Sequence, residues 1–204
     1  PALQFISITV RGSKGFIAGS GERLFDGDQP LILRAQLIGG VLLDQGLIVK
    51  PENGGLKNVV VWIGLDTKER DVKFPKDKIH PDFANPPKYA DVSIQRCDFS
   101  PHVIAVREGV TLRVKNLSPV PHSVKVPLPV AAMVPTPLLM PENEIVFDTL
   151  KAGRSALSLS CSVHPWMQAS VRVFDHPYFA VTDENGSFEI KNAPTGKFRL
   201  YIWH

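Results

Sequence analysis

What most constrains this chain is its punctuation. Eighteen prolines and fifteen glycines fall between short apolar runs, and no long window repeats its apolar residues at the period of an amphipathic helix. Short apolar runs bounded by turn residues are strand signals, so the expected fold class is all-β. At 204 residues the chain exceeds the size at which a single core is common, which leaves one large β domain or two modest ones open. The formal charge of +3 is spread along the chain without dense Lys/Arg runs, so nucleic acid is not an expected partner. No apolar stretch approaches the roughly 20 residues that a helix needs to cross a bilayer, and no membrane span is expected. The sequence starts at Pro1 rather than Met. That start reads as a processed terminus, and a periplasmic or otherwise extracytoplasmic location with the signal peptide removed is expected.

Strand-like runs in the first third include Phe5 to Val10, Leu31 to Gln36, Leu47 to Val49 and Asn58 to Ile63, with turns such as Asn53-Gly54-Gly55 between them. From Asp66 to Lys88 alternating charges and Pro75, Pro81, Pro86 and Pro87 predict an unpacked surface connection. Strand signals resume with YADVSIQRCDF, then VIAVREG and VTLRVKN, which read as a meander turning at Glu108-Gly109. The segment VKVPLPVAAMVPTPLLMPENE is too rich in proline for a helix or a central strand and is expected to be a long loop. EIVFDTL, SALSLSCSV and ASVRVF follow as strands, and the last stretch alternates around Asn185-Gly186 and Thr195-Gly196 as two hairpins. Trp62, Trp203, Tyr178 and Phe188 are expected in the core of this outer part. His80, His176 and His204 have no motif around them and are expected as solvated or hydrogen-bonded side chains.

The chemistry concentrates in CSVHPWM. Cys161, His164 and Met167 stand at i, i+3 and i+6 on a loop between two strands, so one tight turn delivers a thiolate, an imidazole and a thioether. A soft thiolate with imidazoles and a weak thioether suits copper cycling between two oxidation states. His122 is the candidate for the remaining ligand. It follows the strand TLRVKN after a short turn, which would set it at the same end of a sandwich as the Cys161 loop. Zinc would use similar ligands, although a thioether is an unusual choice for it. The competing reading of Cys161 is an ordinary disulfide to Cys97, which gives no reason for the accompanying His and Met. If Cys161 binds metal, Cys97 is expected to be a buried inert thiol. A second site from Cys97 and His102 matches no strong ligand rule.

V-x-x-G-V-T-L-R-V-K-N, a following His and then C-x-x-H-x-x-M resemble the two-part signature of the cupredoxins, over about 85 residues from about Ala90 to Phe174. The loop is similar to that of amicyanin, which also has Cys, two residues, then His-Pro-aromatic-Met. The resemblance implies a Greek-key β-sandwich holding one type 1 copper, Cu(I)/Cu(II), on His122, Cys161, His164 and Met167. It further implies that redox partner proteins dock near His164, Pro165 and Trp166. By its chain position the 126 to 141 segment, with Met133 and Met140, is placed either to add to an apolar rim there or to fold against the sandwich or the other domain. Plastocyanin-like and azurin-like members often place Asn directly after the first His, where this chain has Ser123. No His-x-His pairs are present to hold further coppers. The function implied is therefore single-electron transfer without substrate turnover, not an oxidase or nitrite reductase. The same residues could serve a copper carrier or chaperone, and a Cys97-Cys161 disulfide would instead make a metal-free scaffold.

The stretch TDENGSFEIKNAPTGKFRLYIW resembles the closing half of carboxypeptidase-regulatory-like, transthyretin-type sandwiches, with Phe198 where Tyr is usual. KGFIAG and LKNVVVWIG near residues 14 to 64 are a weak match to the opening half. The domains expected are a discontinuous sandwich of residues 1-88 plus 175-204 and a cupredoxin domain of residues 89-174. A single enlarged cupredoxin is the alternative. The close approach of a domain's termini makes insertion physically easy.

Overall fold

The computed structural model describes residues 50, 52–67, 72–127, 137–148 and 150–204, together with the backbone of three earlier strands. It divides into two compact units, one of Pro1–Ala84 with His176–His204 and one of Asn85–Asp175. The first unit opens with β1 (Phe5–Arg11), β2 (Leu24–Phe25), β3 (Leu31–Ile38) and β4 (Val60–Leu65). The second unit contains β5 (Tyr89–Gln95), β6 (Asp98–Ser100), β7 (Val103–Arg107) and β8 (Thr111–Asn116). It continues with β9 (Val124–Lys125), β10 (Glu144–Phe147), β11 (Leu157–Cys161) and β12 (Gln168–Phe174). The chain then returns to the first unit as β13 (Phe179–Val181), β14 (Ser187–Ala193) and β15 (Phe198–Trp203). The expected strand at Leu47 to Val49 and the segment 128–136, which includes Met133, lie outside the described residues.

The second unit is a sandwich of two four-stranded sheets, ordered β10-β8-β5-β6 and β7-β12-β11-β9. Each contains one parallel pair, β5 with β8 and β7 with β12. Side chains alternate across a strand, and the buried ones mark the inner faces: Val92 and Ile94 on β5, Leu112 and Val114 on β8, Leu159 and Cys161 on β11, Ala169, Val171 and Val173 on β12. All belong to one cluster. On the outer side of the first sheet Arg113 donates to both carboxylate oxygens of Asp91, its register partner, at 2.6 and 3.1 Å.

Two expectations fail here. VIAVREG and VTLRVKN are not a meander, because β7 and β8 lie in different sheets and the turn at Glu108-Gly109 carries the chain between them. Each strand buries one face either way, so alternation cannot distinguish a hairpin from a change of sheet. Nor is YADVSIQRCDF one strand. Gln95 pairs with Asp98, and Arg96 and Cys97 form a two-residue turn with φ of 50° and 55°.

In the first unit the sheets run β13-β4-β15-β2 and β1-β3-β14. The three C-terminal strands are therefore not two hairpins, since β14 pairs with β3 while β13 and β15 flank β4. Tyr178 and Phe188 are core residues, whereas Trp62 and Trp203 are half-buried and Trp62 stacks on Tyr201. The proline-rich connection is more structured than its composition predicts. Among its described residues are two 3-10 turns, Lys76–Lys78 and Pro81–Phe83, and Phe74 is buried in the core. The Tyr178 hydroxyl fastens this segment, accepting from the His80 amide and donating to the Lys78 carbonyl, both at 2.8 Å. A single 3-10 turn needs few residues and tolerates Pro at its start, so proline content does not exclude it. His176 is buried and accepts a hydrogen bond from the Tyr178 amide at 3.1 Å.

Candidate metal centre

Three of the four expected ligands converge at one end of the second unit. The end of β8 sets the first. Asn116 is fully buried, and its amide donates to the carbonyls of Val120 and Leu139 at 2.8 and 2.9 Å. Its side-chain oxygen accepts from the Ser118 amide and hydroxyl at 3.0 and 2.8 Å. One side chain thus closes the turn that follows its own strand. His122 comes next, paired through its backbone with Leu139 in both directions at 3.1 and 2.6 Å. Its Nε2 lies 2.8 Å from the Ser118 hydroxyl. Where Nδ1 is the nitrogen that meets a metal, Nε2 carries the proton and the Ser118 hydroxyl is its acceptor. That tautomer leaves Nδ1 as a lone pair.

Cys161 ends β11, where it pairs with Val124 of β9 and is 4 % exposed. The loop beyond it folds back on itself, with the Met167 amide donating to the His164 carbonyl at 2.9 Å and the Cys161 amide to the Met167 carbonyl at 3.3 Å. Ser162 donates to the Ser123 carbonyl at 3.0 Å, which ties this loop to the residue after His122. The His122 and His164 Nδ1 atoms are 3.0 Å apart, and the Cys161 sulfur lies 3.7 and 3.9 Å from them. Met167 is fully buried in the same cluster as Cys161. Trp166 is 67 % exposed with its ring centroid 5.1 Å from that of His164.

The donor atoms fit a soft metal. A triangle with these sides admits an ion about 2.0 Å from each nitrogen and about 2.3 Å from sulfur, with angles at the ion of roughly 95° to 130°. Burial, reinforced by the neighbouring His164, holds the His122 imidazole pKa below its ordinary value. The ring is thereby kept in the neutral form that a metal requires.

Both cysteines are free thiols, so the structure does not contain the Cys97-Cys161 disulfide. Nor does Cys97 pair with His102, which is exposed. Cys97 instead forms a group with His122 and His164 in which the three ligand atoms all lie within 4.8 Å of one another. Sequence reasoning missed this placement, as it missed the parts of Ser118 and Asn116.

No family model matches this sequence, and no curated protein does. Among solved structures, a reduced tryptophan-to-tyrosine variant of amicyanin is 22 % identical with a TM-score of 0.38, covering 44 % of this chain and 86 % of that one. A purple cupredoxin from Nitrosopumilus maritimus is 22 % identical with a TM-score of 0.35, covering 41 % of this chain and 98 % of that one. The reduced state of a proline-to-phenylalanine variant of amicyanin is 20 % identical with a TM-score of 0.37, covering 55 % and 98 %. With its two four-stranded mixed sheets and a Cys/His/His group gathered at one end, the second unit of this chain is an all-β sandwich.

Proposed function

We propose that Asn85–Asp175 binds one copper ion through His122, Cys161, His164 and Met167 and passes single electrons between redox partners, without turning over a substrate. The observation that carries this reading is the triangle of two imidazole nitrogens and one thiol sulfur, with sides of 3.0, 3.7 and 3.9 Å. Copper would supply the one-electron couple, and a set of two imidazoles, a thiolate and a weak thioether suits both of its oxidation states. The protein's contribution is rigidity. Ser118 and Leu139 fix one imidazole, and the backbone bonds within the 161–167 loop fix the thiol and the other imidazole.

Electrons would pass at the His164 edge, beside Pro165 and Trp166. Apolar side chains are exposed in the segments that frame it: Val163, Trp166, Leu117, Val120, Leu138 and Met140. An exposed patch of this kind suits docking of another protein. Among the described residues no helix is long and apolar enough to cross a membrane, and we place the protein outside the cytoplasm on the strength of its resemblance to the cupredoxins. We read the first unit as a transthyretin-type sandwich on the residues of its closing strands.

The test is the visible and EPR spectrum of the purified chain after Cu(II) addition, with Cys161→Ser beside it. An intense thiolate-to-copper band with narrow hyperfine splitting, absent from the variant, is the expected result. A colourless protein would overturn the reading.

A further inference from the structure

The four proposed ligands leave one nearby sulfur without a part. Cys97 lies with ring nitrogens of His122 and His164 in a group no wider than 4.8 Å, so the two imidazoles are shared between two thiols. The thiols differ in access. Cys161 is 4 % exposed and belongs to the core, whereas Cys97 is half-buried and lines an open pocket with Gln95, Arg96, Leu117, Ser118 and Val120. His122 is fully buried and His164 is not. Of the three residues in this group, Cys97 is the one that lines the pocket.

The turn that presents Cys97 is itself unusual. A two-residue hairpin turn with positive φ at both positions ordinarily takes Asn and Gly. Here Arg96 and Cys97 occupy it at 50° and 55°, in a region that disfavours their side chains. The turn is fastened to the ligand loop by the Trp166 indole N–H, which donates to the Cys97 carbonyl at 3.2 Å.

We propose that Cys97, His122 and His164 form an outer metal-binding group that receives a cuprous ion and delivers it to Cys161. The proposal rests on the copper reading above. Delivery exchanges one thiolate for another while both imidazoles stay in place. The bond to the Cys97 sulfur breaks as that to the Cys161 sulfur forms; Cys161 gives up its thiol proton and Cys97 takes one up. The metal remains Cu(I), so no oxidant or reductant enters the step. Cuprous ion is the species that soft thiolate ligands select.

The experiment compares the full chain with Cys97→Ser, Cys161→Ser and the double variant under anaerobic conditions, using Cu(I) alone as the probe. Competition with a colorimetric Cu(I) chelator gives affinity, and X-ray absorption counts the sulfur donors. Cys161→Ser is expected to hold one Cu(I) with a single thiolate sulfur, and the double variant to bind at least about tenfold more weakly, since losing even the outer partner of a ligand typically costs that much. Equal affinities in those two variants overturn the outer group. Stopped-flow loading needs only Cys97→Ser, a change at a half-buried turn rather than in the core. It is expected to load several-fold more slowly than the native chain while reaching the same visible band after oxidation. Equal loading rates overturn delivery. Failure of the underlying reading looks different: the native chain itself then shows no intense band with Cu(II), whatever its Cu(I) affinity.

Discussion

Ser118 carries more of the proposed centre than its place in a short turn suggests. Its hydroxyl stands between the Asn116 side-chain oxygen and His122 Nε2, 2.8 Å from each, and accepts from Nε2 when Nδ1 is the ligating nitrogen. Ser118→Ala leaves a buried N–H without its acceptor, which typically costs about 1–3 kcal/mol. Loss of such an outer hydrogen bond typically weakens metal binding about 10–100-fold, and chelator competition should show a loss in that range. An unchanged affinity would mean that backbone pairing with Leu139 alone orients the ring. The contrast with the Cys161 loop explains what could be read in advance. In CSVHPWM the relevant groups are held by bonds within seven consecutive residues, so spacing alone brings them together. Ser118 and Cys97 gain their roles from loop closure and from a turn whose residues, Arg96 and Cys97, carry none of the usual turn chemistry.

Among the elements, the limits of alternation decide where reading the chain went astray. Period-two patterns identify a strand and its buried face, yet they say nothing about which neighbour it pairs with. That is why β7 and β8, or β13 and β14, read as hairpins and proved to lie in separate sheets. Where a turn meets another turn, packing is less forgiving. A side chain at Gly55 would place its Cβ 2.3 Å from the Asn185 carbonyl carbon and oxygen, so the backbone near Asn185-Gly186 must move to admit it. Gly55→Ala is expected to destabilise by about 1–3 kcal/mol, seen as a thermal midpoint lower by several degrees. Gly153→Ala is the control, since the nearest atom to its Cβ is a carbonyl oxygen 4.0 Å away. Equal midpoints for the two variants would show that the Asn185 turn yields easily.

At the scale of the molecule, both ends of the second unit are fastened to one place. The Thr111 amide donates to the Lys88 carbonyl at 3.0 Å and the Glu108 amide to the Phe174 carbonyl at 2.7 Å, so the chain enters and leaves beside the turn between β7 and β8. The proposed metal centre lies at the other end of β8, roughly 20 Å away for a strand of this length. A fragment of Asn85–Asp175 should therefore fold alone and give the same copper band as the full chain. A fragment that aggregates or stays colourless, while the full chain is coloured, would show that the first unit is required. This division also fixes an order of events during synthesis. Strand β4 takes both of its neighbours, β13 and β15, from beyond the second unit. On the ribosome, every strand of the second unit emerges while β4 still lacks partners on either side, so the inner unit can be complete before the outer one has the strands to close.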